Sequence, residues 1–376
     1  MKEISIITSY PLCDEPVIKN RLLPFIFEFG KLGYSINIFQ PKGELYNFES
    51  VDAKQIMLDK PKIVSGSFIK RAFLELKLAF QLLVKYKKVS CSSDIAFITM
   101  PSMFLLLLLP FVKCNIKILD VRDLTWEYLK DNNITHYFFK RFYRLLFWHL
   151  SRFSDYITVS NKFELSHLES IGFKKKTKLI SNGISIEQFE KMVLIQEKDS
   201  TEDLVISYIG NVGLAQDLSF MVELAESHPN FKFNIVGGGN DLERIRSLVL
   251  ERNLNNIVLT GRLSWEQVLG IYEQTDVLFA QLTEEFQTAI PSKLYEYLAS
   301  GKRVIYGGDI KLESFFSDFS GIEFIEPKNQ EMFDLAISKI FNGQSTIDAN
   351  LNRNLIHKNF IRESAVRKFV CEIGLK

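Results

Sequence analysis

Short runs of β-branched and other apolar residues alternate along the chain with longer stretches whose apolar positions recur every three or four residues. The runs predict strands at Ile4–Thr8, Ser35–Phe39, Asp94–Thr99, Ile116–Val121, Tyr156–Ser160 and Lys178–Ser181. Between them, Val17–Leu32, Phe68–Lys85, Tyr137–Phe153 and Lys162–Ile171 predict helices. The rhythm breaks at residues 190–203, where Gln196–Asp203 is polar and charged without an apolar period and reads as a linker. It restarts with strands at Val205–Ile209, Phe231–Val236, Ile257–Thr260, Val277–Ala280, Val304–Tyr306 and Glu323–Ile325. The helices expected among these are Leu218–Ser227, Asp241–Arg252, Trp265–Gln274 and Ser292–Ser300, with Ser364–Leu375 as a terminal helix.

Strand–helix alternation builds right-handed βαβ units on mainly parallel sheets. The pattern therefore predicts an α/β chain of two doubly wound, Rossmann-like domains. Residues 1–190 form the first and 204–360 the second, while 361–376 form a helix packing back toward the first. Ligands of such sheets sit beyond the carboxyl ends of the strands, so chemistry is expected in the strand-to-helix loops.

A chain of 376 residues exceeds what one core holds, since domains run to about 100–200 residues. Its 47% hydrophobic and 24% charged residues exclude long disorder. The net charge of +1 conceals an asymmetry. Through residue 195 there are 28 Lys+Arg against 19 Asp+Glu, a net of +9; beyond it 18 stand against 26, a net of −8. The basic half suits an anionic surface or a phosphate-bearing substrate, or carries solvated faces with no partner. Nucleic acid is not expected, because the basic residues form no known binding motif.

Cys13, Cys91, Cys114 and Cys371 are scattered without ligand spacing, which argues against structural zinc and fits reduced thiols. The N-terminus enters a strand-like run at once, so no signal peptide is expected. The most apolar stretch, Phe104–Val112, contains Pro110 and falls short of the roughly 20 residues a bilayer span needs. A cytoplasmic chain, or one peripheral to the inner face of the plasma membrane, is expected.

Three loops in the second half carry candidate chemistry. Gly210-Asn211-Val212-Gly213 follows the strand ending at Ile209. Its glycines allow close backbone approach, and amides at a helix start attract anions, although a simple turn requirement also explains them. Gly237-Gly238-Gly239 follows Phe233–Val236 and lets a flat base or ribose lie against backbone, or simply makes a tight turn. It is not a full G-x-G-x-x-G fingerprint, so a hydride-transfer cofactor is not implied.

The third loop is Pro291-Ser292-Lys293-Leu294-Tyr295-Glu296. Pro291 suits the first turn of a helix, whose free N–H groups meet an anion. Lys293 opposes the usual preference for acids at that end, which points to something negative there. Glu296 lies one turn beyond Ser292, within reach of ribose hydroxyls. A surface Lys–Glu pair fits the same spacing, and Ser292 alone reads equally as an N-cap.

The segments Ile209–Gln216, Ile235–Gly239, Val258–Arg262 and Ile290–Lys302 recur in this order, with Ile118–Leu124 and Ser181–Gly183 in the first half. Together they resemble GT-B glycosyltransferases, particularly family four and its bacterial branch that makes surface polysaccharides, including enzymes similar to the L-fucosamine transferases. The resemblance covers nearly the whole chain and is most specific over residues 205–306. It implies that the two domains face a cleft, that Glu296 binds the donor ribose, and that Lys293, with amides near Gly213 and with Gln216, holds the donor diphosphate. Gly237, Gly238, Gly239 and Arg262 would frame the base, and the Glu284–Ile290 loop would face the donor sugar.

The chain departs from that pattern at three places. Thr288 stands where many relatives carry a Glu, Asn211 and Gln216 where others carry an Arg/Lys pair, and Ser9–Pro16 where a glycine pair usually follows the first strand. The donor sugar is therefore left open.

The resemblance implies a hexosyl-type transfer with retention from a nucleotide-sugar, a UDP-sugar above all, without a resident cofactor. No Asp-x-Asp metal motif is evident, so Lys293 and helix N-termini are expected to stabilise the departing diphosphate. Asp120, Arg122 and Asp123 end an apolar strand where such folds place active groups. Asp123 is expected to orient the acceptor hydroxyl or the donor sugar, and Arg122 to touch a phosphate; a buried structural Asp–Arg pair is the alternative.

Phe68–Lys88 carries Lys70, Arg71, Lys77, Lys85, Lys87 and Lys88 among Phe and Leu, and Tyr137–Phe153 mixes Arg and Lys with aromatics. Such helices lie on anionic membranes, or bury an apolar face opposite solvated charge. The first reading suits a glycan or a polyprenyl-diphosphate-linked acceptor. Two rival functions use the same fold. A sugar-nucleotide epimerase needs acid/base groups, yet none of His136, His149, His167, His228 and His357 sits in a strong loop context. A catalytically silent sugar-nucleotide-binding subunit is conceivable from Asn211, Gln216 and Thr288.

Overall fold

The computed structural model describes residues 2–61, 68–90, 93–100, 102–122, 124, 134–196, 203–286 and 290–375. Contacts divide the chain into two units, Met1–Asn182 with Arg362–Lys376, and Gly183–Ile361.

The first unit holds strands β1 (Glu3–Ile7), β2 (Ser35–Lys42), β3 (Ala53–Pro61), β4 (Ser93–Met100), β5 (Cys114–Val121), β6 (Tyr156–Val159) and β7 (Thr177–Leu179). They pair in parallel in the order β3-β2-β1-β4-β5-β6-β7. Its helices begin with α1 (Pro16–Lys31), α2 (Phe68–Val89), α3 (Ile134–Leu150) and α4 (Lys162–Leu168). Central strands such as β1 and β4 are buried on both faces, which is why they read as nearly continuous apolar runs.

The second unit holds β8 (Val205–Ile209), β9 (Lys232–Val236), β10 (Ile257–Gly261), β11 (Val277–Gln281), β12 (Arg303–Gly307) and β13 (Ile322–Ile325), all parallel in the order β10-β9-β8-β11-β12-β13. With it go α5 (Ile186–Val193), α6 (Ser219–Ser227), α7 (Leu242–Glu251), α8 (Trp265–Gln274), α9 (Lys293–Ser300), α10 (Gln330–Phe341) and α11 (Ala349–Asn359). The last helix, α12 (Arg362–Glu372), belongs to the first unit. There Phe369 meets Phe25 of α1 edge-on at 6.1 Å, and Arg367 pairs with Glu28 at 3.0 Å. Each fully buried aromatic of this kind contributes about 1.5–3 kcal/mol.

Four elements differ from expectation. The edge strand β3 was not foreseen, because Lys54 and Asp59 interrupt its apolar positions. An edge strand tolerates such exposed charges and is protected by them. Helix α5 runs through residues 190–193, inside the expected break; a capping box between Ser185 and Gln188 starts it. The expected linker falls largely on residues 197–202, outside the described residues. Helices α10 and α11 were also missed. In α11 the anchor is polar, for Asn352 is fully buried, donates to Ser320 O at 2.9 Å and accepts from Ser320 N at 2.9 Å. A search for apolar periodicity does not find a helix held by an amide.

Candidate functional site

In the second unit the loops after β8 and β9 interlock. Gly210 N donates to Val236 O at 2.9 Å, Val212 N to Gly238 O at 3.0 Å and Asp241 N to Val212 O at 3.1 Å. Gly237 N donates onward to Gly261 O at 2.8 Å, so the loop after β10 joins the same bed. Gly237 has φ 136°, and a Cβ there would stand 1.8 Å from Gly210 O. No side chain fits, so the two backbones can lie directly against each other. Gly238 supports the stem of Arg262, which would lie 2.9 Å from a Cβ at that position. Gly239 follows on the exposed side of the turn.

Helix α9 is held to the end of β8 by Tyr297. Its buried hydroxyl accepts from Ile209 N at 2.8 Å and donates to Ile209 O at 2.9 Å. One turn earlier, Lys293 consequently comes to rest beneath Gly210. A Cβ on Gly210 would stand 2.7 Å from Lys293 Nζ, so the glycine leaves room for the ammonium group. Lys293 donates to the Tyr208 hydroxyl and lies 4.0 Å from the centre of its ring, a cation–π contact. The Tyr208 proton is used on Asn211 O at 2.5 Å, which leaves the phenolic oxygen to accept from Lys293.

As a residue Lys293 is only half-buried, yet protein atoms crowd its ammonium. That desolvation pushes it down to about 7, while the Glu296 carboxylate on the same helix pulls the other way. Burial also pushes the Tyr208 phenol up, so the phenol stays protonated. Ser292, expected as an alternative N-cap, has helical backbone angles and makes no side-chain capping bond.

Around Gly213 three side chains converge: a Cβ there would be 2.8 Å from Asn211 Nδ2, 2.8 Å from Gln216 Oε1 and 3.5 Å from Asn240 Oδ1. Gln216 Oε1 is buried without a hydrogen-bond partner among the described residues. An orphaned buried amide oxygen costs about 1–3 kcal/mol and is relieved by a ligand that donates to it.

One part of this arrangement was not read from the sequence. Asp217, in a left-handed conformation at φ 37°, pairs with Arg244 at 3.0 Å and with Lys328, and accepts from Ser219 Oγ at 2.7 Å. Arg244 also holds Asp241 through two contacts of 2.7 Å. Burial would raise the Asp217 carboxyl, but these hydrogen bonds outweigh it and hold it below its ordinary value. Gln281 Nε2 donates to Asp217 O at 2.7 Å and Thr283 N to Ala215 O at 2.8 Å, fixing the Gly210–Asp217 loop to the end of β11. The only sequence signal was the charge of residues far apart in the chain.

The first unit carries a separate cluster. Asp120 is fully buried; Arg21 reaches it at 2.7 Å, Thr99 Oγ1 donates to it at 2.9 Å and Thr158 Oγ1 at 2.7 Å. Burial would raise its pKa, yet Arg21, the nearby Arg122 charge and the Thr158 hydroxyl hold it below the usual carboxylate range. The buried Asp–Arg pair is thus Asp120 with Arg21. Arg122 is buried and donates from one terminal nitrogen to Val17 O at 2.9 Å. Asp123 and Thr288 lie outside the described residues. Among the described residues no group of three or more His, Cys, Asp or Glu is placed to hold a metal ion. No described helix is long and apolar enough to cross a membrane.

Two Rossmann-like units, one with glycine-lined loops at the strand ends, give the chain the GT-B fold. Residues 193–359 match the family described as glycosyl transferases group 1. A glycosyltransferase of Methanocaldococcus jannaschii is 22% identical over 253 residues, 63% of this chain and 62% of that relative's length. Among solved structures, sucrose-phosphate synthase of Thermosynechococcus elongatus superposes with a TM-score of 0.74 at 14% identity, over 99% of this chain and 98% of the other. HepE of Anabaena, solved in complex with UDP and glucose, superposes with a TM-score of 0.66 at 11% identity, over 99% of both chains.

Proposed function

We propose that the chain is a retaining glycosyltransferase that moves a hexosyl group from a nucleoside-diphosphate donor, UDP-linked by preference. The acceptor is a glycan or polyprenyl-diphosphate-linked sugar of bacterial surface polysaccharide synthesis. In this reading residues 204–360 hold the donor and residues 1–190 the acceptor, with 361–376 returning to the first domain. The observation that carries it is the Lys293 ammonium held by Tyr208 directly beneath the Gly210 turn. A diphosphate laid over Gly210–Gly213 would meet that ammonium, the backbone amides of the loop and the amide group of Gln216.

Glu296, on the same helix, would take the ribose hydroxyls, and the bed of Gly237, Gly238 and Arg262 would receive the base. The likeness to a UDP-bound neighbour supports this assignment. During transfer the bond between the anomeric carbon and the phosphate oxygen breaks, and its electron pair leaves with the diphosphate. The acceptor oxygen bonds to the same face of the sugar, and its proton passes to the departing phosphate oxygen. Lys293 and the loop amides stabilise the charge that develops there, with no metal in that role. Asp123 is assigned to orient the acceptor hydroxyl or the donor sugar, and Arg122 to touch a phosphate.

Thermal melting with a panel of nucleotide-sugars tests the reading. A donor at a hundred times its Kd stabilises the chain by about 2.7 kcal/mol. Lys293→Ala should abolish the shift, and transfer of labelled sugar to a lipid-linked acceptor should follow the same donor. If no nucleotide-sugar raises the melting point, or Lys293→Ala leaves the shift intact, the assignment is wrong.

A further inference from the structure

Three non-glycine residues have positive φ among the described residues, and one buried side chain holds two of them, Asp217 at 37° and Lys328 at 60°. That side chain is Gln281, the last residue of β11. Its Nε2 donates to Asp217 O at 2.7 Å, and its Oε1 accepts from Lys328 N at 3.3 Å. One neighbour is a carbonyl and the other an N–H, so a single orientation of the amide satisfies both. The Asp217 carboxylate closes the same ring from outside by pairing with the Lys328 ammonium. The loops that follow β8 and β13 are thereby clasped to the end of β11.

Left-handed backbone is strained at a residue with a side chain and persists only where its surroundings over-determine it. Asn253, the third such residue, is of a type that enters this region readily; a lysine is not. Stability alone does not call for strain at two facing loops, since a glycine at either position would relieve it. What the clasp fixes is the far end of the Gly210–Asp217 loop. The near end is already held, by Gly210 N on Val236 O and Val212 N on Gly238 O. Gln216, next to Asp217, donates from its backbone N to Gly213 O at 3.1 Å and brings Oε1 within 2.8 Å of a Cβ at Gly213. The backbone angle at Asp217 therefore decides how this turn joins α6 and where the Gln216 amide stands.

We propose that Gln281 is a positioning residue for the donor diphosphate. Both polar atoms of its side chain are committed within the protein, so it acts through the loop and not on the donor. By holding Asp217 and Lys328 it sets Gln216 and the amides of the Gly213 turn in place before the diphosphate arrives. The proposal rests on the reading of Gly210–Gln216 as the diphosphate loop.

Binding of UDP to the full chain tests it, by calorimetry and by phosphorus NMR. Gln281→Met keeps the length of the side chain and removes both hydrogen bonds. One such bond is worth about fivefold and two set a ceiling near thirtyfold, so the UDP Kd should rise about five- to thirtyfold. At saturating UDP the phosphorus resonances of the bound nucleotide should also move from their positions in the parent complex, which a general loss of stability does not cause. Asp217→Gly relieves the strained backbone and keeps a second, folded variant in hand. It removes a negative charge near an anion, which by charge alone would tighten binding. Loss of the clasp has the opposite sign, a Kd raised about two- to fivefold. Unchanged UDP affinity or unmoved phosphorus resonances in Gln281→Met overturn the proposal, as does tighter binding by Asp217→Gly. A parent chain that does not bind UDP fails the donor reading and takes this proposal with it. A parent that binds UDP, beside variants that match it, removes only the role of Gln281.

Discussion

The ammonium group of Lys293 rests over the ring of Tyr208, 4.0 Å from its centre, while the Tyr208 hydroxyl receives a hydrogen bond from the same group. The hydroxyl in turn donates to Asn211 O, so the lysine is tied to the loop it is proposed to serve. Tyr208→Phe keeps the ring and removes the tether. The donor Kd should rise more than tenfold, since one hydrogen bond to a charged group is worth about 1.5–3 kcal/mol, with little change in fold. Titration calorimetry of the variant against the parent reads this directly, and an unchanged Kd would remove Tyr208 from the site.

The lowered Lys293 pKa gives donor binding a pH signature. The free group, pushed down to about 7 by desolvation, is half charged near neutrality; an incoming diphosphate favours the charged form. Binding should therefore take up a proton above pH 7. The apparent donor Kd should rise by about tenfold per pH unit as pH climbs beyond that value. For stability the sign is opposite. The unfolded lysine holds its proton up to its ordinary pKa near 10.4, so the cost of burying the charge is present below pH 7 and fades as pH rises toward 10.4. Calorimetry in buffers of different ionisation heat counts the proton, and Lys293→Met should abolish the uptake.

Gly210→Ala places a methyl group 2.7 Å from Lys293 Nζ at a backbone angle that side chains rarely adopt. The end of a lysine can move, so the folded chain should survive with a loss of about 1–2 kcal/mol of stability. What it cannot keep is the ammonium beneath the turn. Donor affinity should fall more than tenfold. Melting curves and donor titration on one preparation separate the two effects.

How far these features were legible depends on the kind of signal. The strands around Ile4, Phe97 and Phe279 were readable because strands buried on both faces are continuous apolar runs. Lys293 was readable because a cation at a helix start contradicts the helix dipole. Its dependence on Tyr208 and Tyr297 was not, since a tyrosine in an apolar run gives no sign that its hydroxyl will grip a loop. The Asp217–Arg244–Lys328 cluster and the Asp120–Arg21 pair join residues distant in sequence, and no local spacing announces them.

Tyr297 makes a narrower prediction about folding. Its hydroxyl serves both the N–H and the carbonyl of Ile209 inside the protein. Tyr297→Phe leaves those groups without that partner, at a cost of about 1–3 kcal/mol each before relaxation. Because α9 would also lose its tether to β8, donor affinity should fall together with the melting point. A drop in stability with unchanged donor affinity would show that the tether does not position Lys293.

The Asp120–Arg21 pair should dominate the acid response of the first unit. Its carboxyl is fully buried and held below the usual range by Arg21, Arg122 and Thr158, with burial acting against them. A depressed carboxylate adds stability that is present above its unfolded pKa of about 3.9 and lost as pH falls through the folded value. Arg21→Met removes the counter-charge and leaves a buried anion, which costs about 3–5 kcal/mol at neutral pH. The carboxyl would then lose its main charge partner while Arg122 remains, so its pKa should rise and the variant's stability deficit should shrink as the pH falls and Asp120 takes a proton. Asp120→Asn in the same background should recover part of the loss at pH 7 by removing the unpaired charge. Urea melts of the three proteins at pH 5 and pH 7 read all of this, and an Arg21→Met variant as stable as the parent at both pH values would show that the pair contributes nothing.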